Sequence, residues 1–264
     1  MSQETSHAES INSNWNRVYK LEGSAALLAV LIALTDMGLT FLPAGAEQPG
    51  TITAVDWFKL FQANWFFGLR NLGLLPNILT LVLSIPLFLA LYGAHRYVNP
   101  VYAALAVILS LVGTALYLSN NAAFPMLALS AKYTAATTEA QRTLLAAAGE
   151  AVLAHGEDFT PGAFTGFLFG EIAMIAISYV MLRGGIFGKA AAYSGIIGCL
   201  CLTVFTIWAT FIPVLFEISM LLAMIGGLLN IAWYILTART LFALARSTCN
   251  TFANQSTMVP VVNS

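Results

Sequence analysis

Residues 101–133 read VYAALAVILSLVGTALYLSNNAAFPMLALSAKY. From Val101 to Asn120 the chain carries no charge and is almost wholly apolar. That is the length, about 20 residues, that a helix needs to cross the hydrocarbon of a bilayer. Asn120 and Asn121 then interrupt the run, Pro125 follows, and the chain resumes as FPMLALSAKY, too short to cross again. The pattern reads as a spanning helix that meets the interface at the two asparagines. The shallow piece that follows is expected to help roof the bundle.

The rest of the chain fits this reading. Its 264 residues are 59% hydrophobic and 9% charged, with mean hydropathy +0.80. A soluble domain carries about a quarter charged residues, so this chain has too few polar groups to cover a water-facing surface. Six stretches are long and apolar enough to span: about 24–42, 69–92, 101–120, 163–182, 190–214 and 218–242. Ala44-Gly45-Ala46 imitates a signal-peptide cleavage site, but the run Ala25 to Leu42 exceeds the usual apolar core of about 7–15 residues. It reads as a retained first helix.

The expected fold is therefore all-α, a polytopic membrane bundle of six transmembrane helices with two amphipathic helices on the outer face. Residues 1–23 form a cytoplasmic N-terminal segment, 24–245 the transmembrane domain, and 246–264 a cytoplasmic tail rich in Ser, Thr, Asn and Gln. Pro76 and Pro86 are expected to bend the second span without ending it. One outer helix, about 53–67, bears Trp57, Phe58, Phe61, Trp65 and Phe66, rings that favour the interface. The other, about 138–155, opens with a capping-box pattern, Thr138 with Gln141, and aligns Leu145, Ala148 and Val152 on one face.

Orientation follows from Lys and Arg, which concentrate on cytoplasmic loops. One side holds Arg17, Lys20, Arg96, Arg183, Lys189, Arg239 and Arg246; the other holds Lys59, Arg70, Lys132 and Arg142 over longer segments. Seven against four places both termini in the cytoplasm. With net charge −1 and no basic face, nucleic acid is excluded as a partner. Three cysteines are too few for a disulfide framework.

Polar residues inside spans are costly and mark candidate sites. Asp36 lies in the outer third of the first span. Glu171 lies nine residues into the fourth, roughly 13 Å deep at 1.5 Å per residue. Arg70 and Asn71 open the second span and Asn120 and Asn121 close the third, all on the outer side, where Glu217 caps the turn after Pro213. Asp36, Arg70, Asn71, Asn120, Asn121 and Glu171 are the candidate binding residues. For Asp36 an ordinary interfacial carboxylate is an equal alternative, and for Glu171 a structural pairing is. Gly162, Gly166 and Gly170, spaced by four, form a small-residue stripe that lets a helix backbone approach closely. The partner is expected within this chain, with a second copy as the alternative.

Catalytic signatures are absent. His7, His95 and His155 share no metal-ligand spacing, no nucleophile or nucleotide motif occurs in a suitable setting, and the sixth span has no lysine for a Schiff base. No cofactor is expected, and an intramembrane enzyme is the less favoured reading.

Three features together carry a resemblance: Leu91-Tyr92 ending the second span, Val98-Asn99 turning into the third, and the set Leu129, Ser130, Tyr133, Ala136, Thr138 and Arg142. In these the chain resembles a family of uncharacterised bacterial multi-pass membrane proteins known only as a domain of unknown function. The resemblance covers most of the chain. It implies a bacterial inner-membrane protein of about six helices and brings no activity. The functional expectation is an outward-facing polar pocket that binds or moves a small molecule or proton. The alternative is a structural or accessory subunit that docks on other membrane proteins or on copies of itself.

Overall fold

The computed structural model describes the backbone of residues 2–40, 52–212 and 216–256, and the side chains of 15–39, 52–212, 216 and 218–246. Expectations for Pro213, the Glu217 side chain and residues 41–51 fall outside them. Among the described residues ten α-helices follow one another: α1 (Ser2–Thr40), α2 (Ala54–Ala63), α3 (Trp65–Asn71), α4 (Thr80–His95), α5 (Pro100–Asn120), α6 (Ala123–Ala135), α7 (Glu139–Gly156), α8 (Pro161–Gly184), α9 (Lys189–Phe211) and α10 (Phe216–Ser256). A π-helical segment, Leu74–Leu79, leads into α4. No strand occurs among the described residues.

Six segments are long and apolar enough to cross a membrane, one each built on α1, α4, α5, α8, α9 and α10. These helices form a closed ring in chain order. α1 packs on α4, α4 on α5, α5 on α8, α8 on α9, α9 on α10, and α10 returns to α1. The short turns 96–99 and 185–188 force antiparallel neighbours, and Gly185 ends α8 in the left-handed region at φ 66°. The outer surface of the ring is strongly apolar, with Leu31 60%, Val101 71%, Leu221 60% and Leu228 59% exposed. Water would penalise such a surface and lipid does not. The protein is a multi-pass membrane helical bundle.

Glycines set the closest helix contacts. A Cβ on Gly166 would stand 2.7–2.9 Å from the Cβ, N and Cα of Tyr117, and one on Gly113 would meet Gly166 and Gly170 backbone. Gly198 and Gly226 bring α9 and α10 together in the same way. The stripe Gly162, Gly166 and Gly170 does not act as one surface, however. Gly162 abuts the His155 carbonyl, whereas a Cβ on Gly170 would meet only Leu81, at 3.9 Å.

The remaining helices, α2, α3, α6 and α7, gather at one end of the ring as a cap. Its core is formed by Trp57, Phe58, Phe61, Leu72, Tyr117, Met126 and Leu153. The rings of α2 thus face the cap's own interior, and only Trp65, beyond the break at Asn64, is largely exposed. The expected single helix over 53–67 is two helices, because the Asn64 side chain accepts from Phe66 and Phe67 N–H and caps α3. α7 begins with the Thr138–Gln141 capping box, but its buried face is Gly149, Leu153 and Gly156, one position on from the expected one.

The second span also departs from expectation. Arg70 and Asn71 belong to α3, and the chain then turns at Gly73, φ 89°. Pro76 has no N–H to give, and both Asn77 and Ile78 N–H groups converge on the Gly73 carbonyl, at 3.2 and 2.9 Å. The π-helical segment is the result. It places Asn77 at the junction between cap and ring.

Candidate functional site

Two polar assemblies lie where the cap meets the ring. In the first, Arg70 is 6% exposed and its guanidinium is fully directed. Nε donates to Asp36 Oδ1 (2.6 Å), Nη2 to the Asp36 carbonyl (2.7 Å) and Nη1 to Asn71 Oδ1 (2.9 Å). Asp36 lies near the C-terminus of α1, where carbonyls are left over and a cation is favoured. This cluster clamps the end of α1 to α3.

The second assembly centres on Asp158, in the turn between α7 and α8. Its Oδ1 accepts from the Tyr117 hydroxyl (2.7 Å) and its Oδ2 from Asn77 Nδ2 (2.8 Å). Asn121 Nδ2 donates to the Leu72 carbonyl (2.9 Å) and to the Tyr117 oxygen (3.1 Å), while its Oδ1 receives the Ala123 N–H that starts α6. Gly73 sits against this network: a Cβ there would overlap the Tyr117 hydroxyl, and its φ also favours glycine. Three separate stretches of chain, around Asn77, Tyr117 and Asp158, are joined through one carboxylate.

Next to Asp158, Phe159 adopts φ 65°, the one positive-φ non-glycine residue among those described. A bulky side chain in that region is strained, by about 1–3 kcal/mol. The turn directs the ring toward the ring interior, where it packs on Phe205 and Phe216 at centroid distances of 5.2 and 5.9 Å.

Below this turn, the centre of the ring holds a cavity of about 260 Å³. Its wall comes from the π-helical segment and α4 (Asn77, Ser84, Phe88), α5 (Ser110), α8 (Phe167, Gly170, Glu171, Met174), α9 (Cys199, Leu202, Phe205, Thr206) and α10 (Asn230, Tyr234), with Phe159 contributing from the turn. The surface is mainly apolar. Glu171 Oε1 lies 2.8 Å from the Thr206 hydroxyl, which also lies 2.9 Å from the Leu202 carbonyl. Glu171 Oε2 is buried outside hydrogen-bond geometry, as is Asn230 Oδ1, with the Thr203 hydroxyl, which donates to the Cys199 carbonyl at 2.8 Å, near the same carboxyl.

The hydroxyl of Thr206 has a single proton to give. Given to Glu171, it serves a carboxylate; given to Leu202, it leaves an oxygen that can accept from a protonated Glu171. Either protonation state of the carboxyl is therefore accommodated without moving a heavy atom. No group of three or more His, Cys, Asp or Glu residues among those described could hold a metal.

The six candidate residues are thus divided. Asp36, Arg70 and Asn71 share one cluster, and Asn121 belongs to the Asp158 network. Asn120 ties α5 to α8 through the Gly162 carbonyl (2.8 Å), with its Oδ1 3.2 Å from His155 Nε2. Of the six, only Glu171 lines the cavity. Asp158 and Tyr117 were missed because their partners lie 81 and 41 residues away. The available signal was an acid immediately before a spanning helix and a tyrosine four residues before Asn121.

No curated protein and no solved structure matches this chain significantly. Residues 66–238, about two thirds of the chain, match the family described as domain of unknown function DUF4386. That stretch contains every residue of the cavity wall, and by its extent the chain belongs to this family.

Proposed function

We propose that this protein binds a small molecule in the cavity around Glu171 and carries it or a proton between the membrane interior and the capped face. The observation that supports this reading is Glu171 Oε2, an acidic oxygen buried outside hydrogen-bond geometry beside an open volume of about 260 Å³. An unpaired buried carboxylate is costly, so the site calls for a counter-charge, either a proton or a ligand. The volume exceeds the roughly 150 Å³ of an apolar protein cavity known to admit benzene.

The setting in this reading is the bacterial cytoplasmic membrane, with both termini inside and the cap outside. Its support is the excess of Lys and Arg at the open end of the ring. A green fluorescent protein fused to the C-terminus should then fluoresce, and an alkaline phosphatase fused there should be inactive.

The binding reading is tested by thermal unfolding of the full chain in detergent, across pH and a panel of small solutes, beside Glu171→Gln. Stabilisation by pH or solute in the parent chain, lost in Glu171→Gln, is the expected result. Unfolding insensitive to every condition, together with copurifying membrane subunits, would replace it with an accessory-subunit role.

A further inference from the structure

We infer that the ligand of the Glu171 cavity is an organic monocation, an amine on a compact apolar body; this rests on the cavity being a binding site. The polar atoms of the wall are unevenly spent. Several of its donors are engaged: Ser84 donates to the Leu81 carbonyl at 2.6 Å, Asn77 to Asp158 at 2.8 Å, and Thr206 to Glu171 or Leu202, while the Ser110 and Tyr234 hydroxyls also stand in this wall. The two buried atoms left open, Glu171 Oε2 and Asn230 Oδ1, are both acceptors. A ligand that satisfies these two atoms must therefore bring donors.

Charge points the same way. Glu171 is the one charged side chain among the described residues of the wall, which include no Lys, Arg or His. An anion would meet like charge, and a neutral donor would leave a carboxylate without its counter-charge. A bare metal ion is a poor fit, because hard cations take about six oxygens and two are open here. The rest of the wall suits an organic cation. Phe88, Phe159, Phe167, Phe205 and Tyr234 share the cavity wall with Glu171, and aromatic faces attract ammonium groups while packing apolar surface.

The Cβ direction of Gly170 supplies a control. It lines the cavity, and a side chain there would first meet Leu81 at 3.9 Å, so Gly170→Leu fills the volume without displacing backbone. The experiment uses the full-length chain in detergent at neutral pH. Calorimetry measures the binding of 2-phenylethylamine, its neutral counterpart 2-phenylethanol and the anion 3-phenylpropanoate to the parent chain, Glu171→Gln and Gly170→Leu. The amine is expected to bind at least about ten-fold tighter than the alcohol, as a charge-assisted bond allows, and the anion weakest. Glu171→Gln should bring amine and alcohol to similar affinity, and Gly170→Leu should abolish both.

Amine and alcohol binding equally to the parent chain, with both lost in Gly170→Leu, would overturn the cation and leave the cavity reading standing. No binding by any probe, or binding that Gly170→Leu leaves unchanged, would overturn the cavity reading itself.

Discussion

The Tyr117 hydroxyl donates to Asp158 Oδ1 across 2.7 Å, tying the end of α5 to the turn that enters α8. The same oxygen receives Asn121 Nδ2 at 3.1 Å, so it stands in the middle of a chain of hydrogen bonds. Tyr117→Phe removes both at once and leaves polar groups short of a partner, which costs about 1–3 kcal/mol in stability. Asp158→Asn disturbs the same chain from its other end. Because the two substitutions share one interaction, the double variant should cost less than the sum of the singles. Additive losses in chemical unfolding would show that the network is not a unit.

The two glycines of α8 that face different surroundings should respond in opposite ways to one added methyl. A Cβ on Gly166 would stand 2.7–2.9 Å from Tyr117, partly from its backbone, which has nowhere to retreat. Gly166→Ala is expected to cost about 1–3 kcal/mol through overpacking. At Gly170 the nearest atom is Leu81 Cδ2 at 3.9 Å, so Gly170→Ala should be neutral, or stabilising by up to about 1 kcal/mol from helix propensity. Equal effects in thermal unfolding would refute this assignment of the helix faces.

The contrast also explains what the sequence could reveal. Spans were legible because length and the scarcity of charge are enough to fix them, and Thr138 with Gln141 was legible because capping is local. Helix rotation was not. Inside a bilayer a lipid-facing residue such as Leu228 and a core residue such as Leu241 are equally apolar, so polarity leaves no record of which way a helix turns. The aromatic residues of α2 were ambiguous for the same reason, since an interface and a cap core attract the same rings. Glu171 could be found as an acid deep in a span. Its independence from Arg70 could not, because that depends on Arg70 reaching Asp36, 34 residues away.

Arg70 and Asp36 offer a sharp test of chemistry against charge. The guanidinium meets Asp36 Oδ1, the Asp36 carbonyl and Asn71 Oδ1 with three different nitrogens. An ammonium carries its donors on a single atom and cannot span those positions. Arg70→Lys should therefore be destabilised nearly as much as Arg70→Met. The loss should be about 3 kcal/mol, the lower end for breaking a buried ion pair, because the Asp36 side chain is 18% exposed. Full retention of stability in Arg70→Lys would mean that charge alone holds α1 to α3.

Strong acid should loosen the first turn of α2. The Thr53 hydroxyl bonded to Asp56, with Lys59 beside it, holds the Asp56 carboxyl below its ordinary value. A group whose folded value is depressed contributes stability that is present above its unfolded value and lost as pH falls through the folded one. The group is exposed, so the change should be local fraying. It should be seen as faster amide exchange at Asp56 and Trp57 in acid and be absent from Asp56→Asn.

Proton and amine should compete for one atom, Glu171 Oε2. The titratable groups that share the wall with it are Cys199 on α9 and Tyr234 on α10, with Asp158 in the turn above next to Phe159; α4 and α5 contribute none. As pH falls, the proton becomes the commoner counter-charge and the cation must displace it. Affinity for 2-phenylethylamine should then decrease with acidification, approaching about ten-fold per pH unit where the protonated carboxyl dominates. Binding of 2-phenylethanol, which displaces no proton, should stay level over the same range. Thr206 makes this exchange possible without rearrangement, since its hydroxyl can turn between Glu171 and the Leu202 carbonyl. Thr206→Val should therefore move the pH range of this loss while leaving its limiting slope unchanged and the cavity open. An amine affinity that is flat with pH in the parent chain, or a slope that persists in Glu171→Gln, would place the exchanging proton on another group.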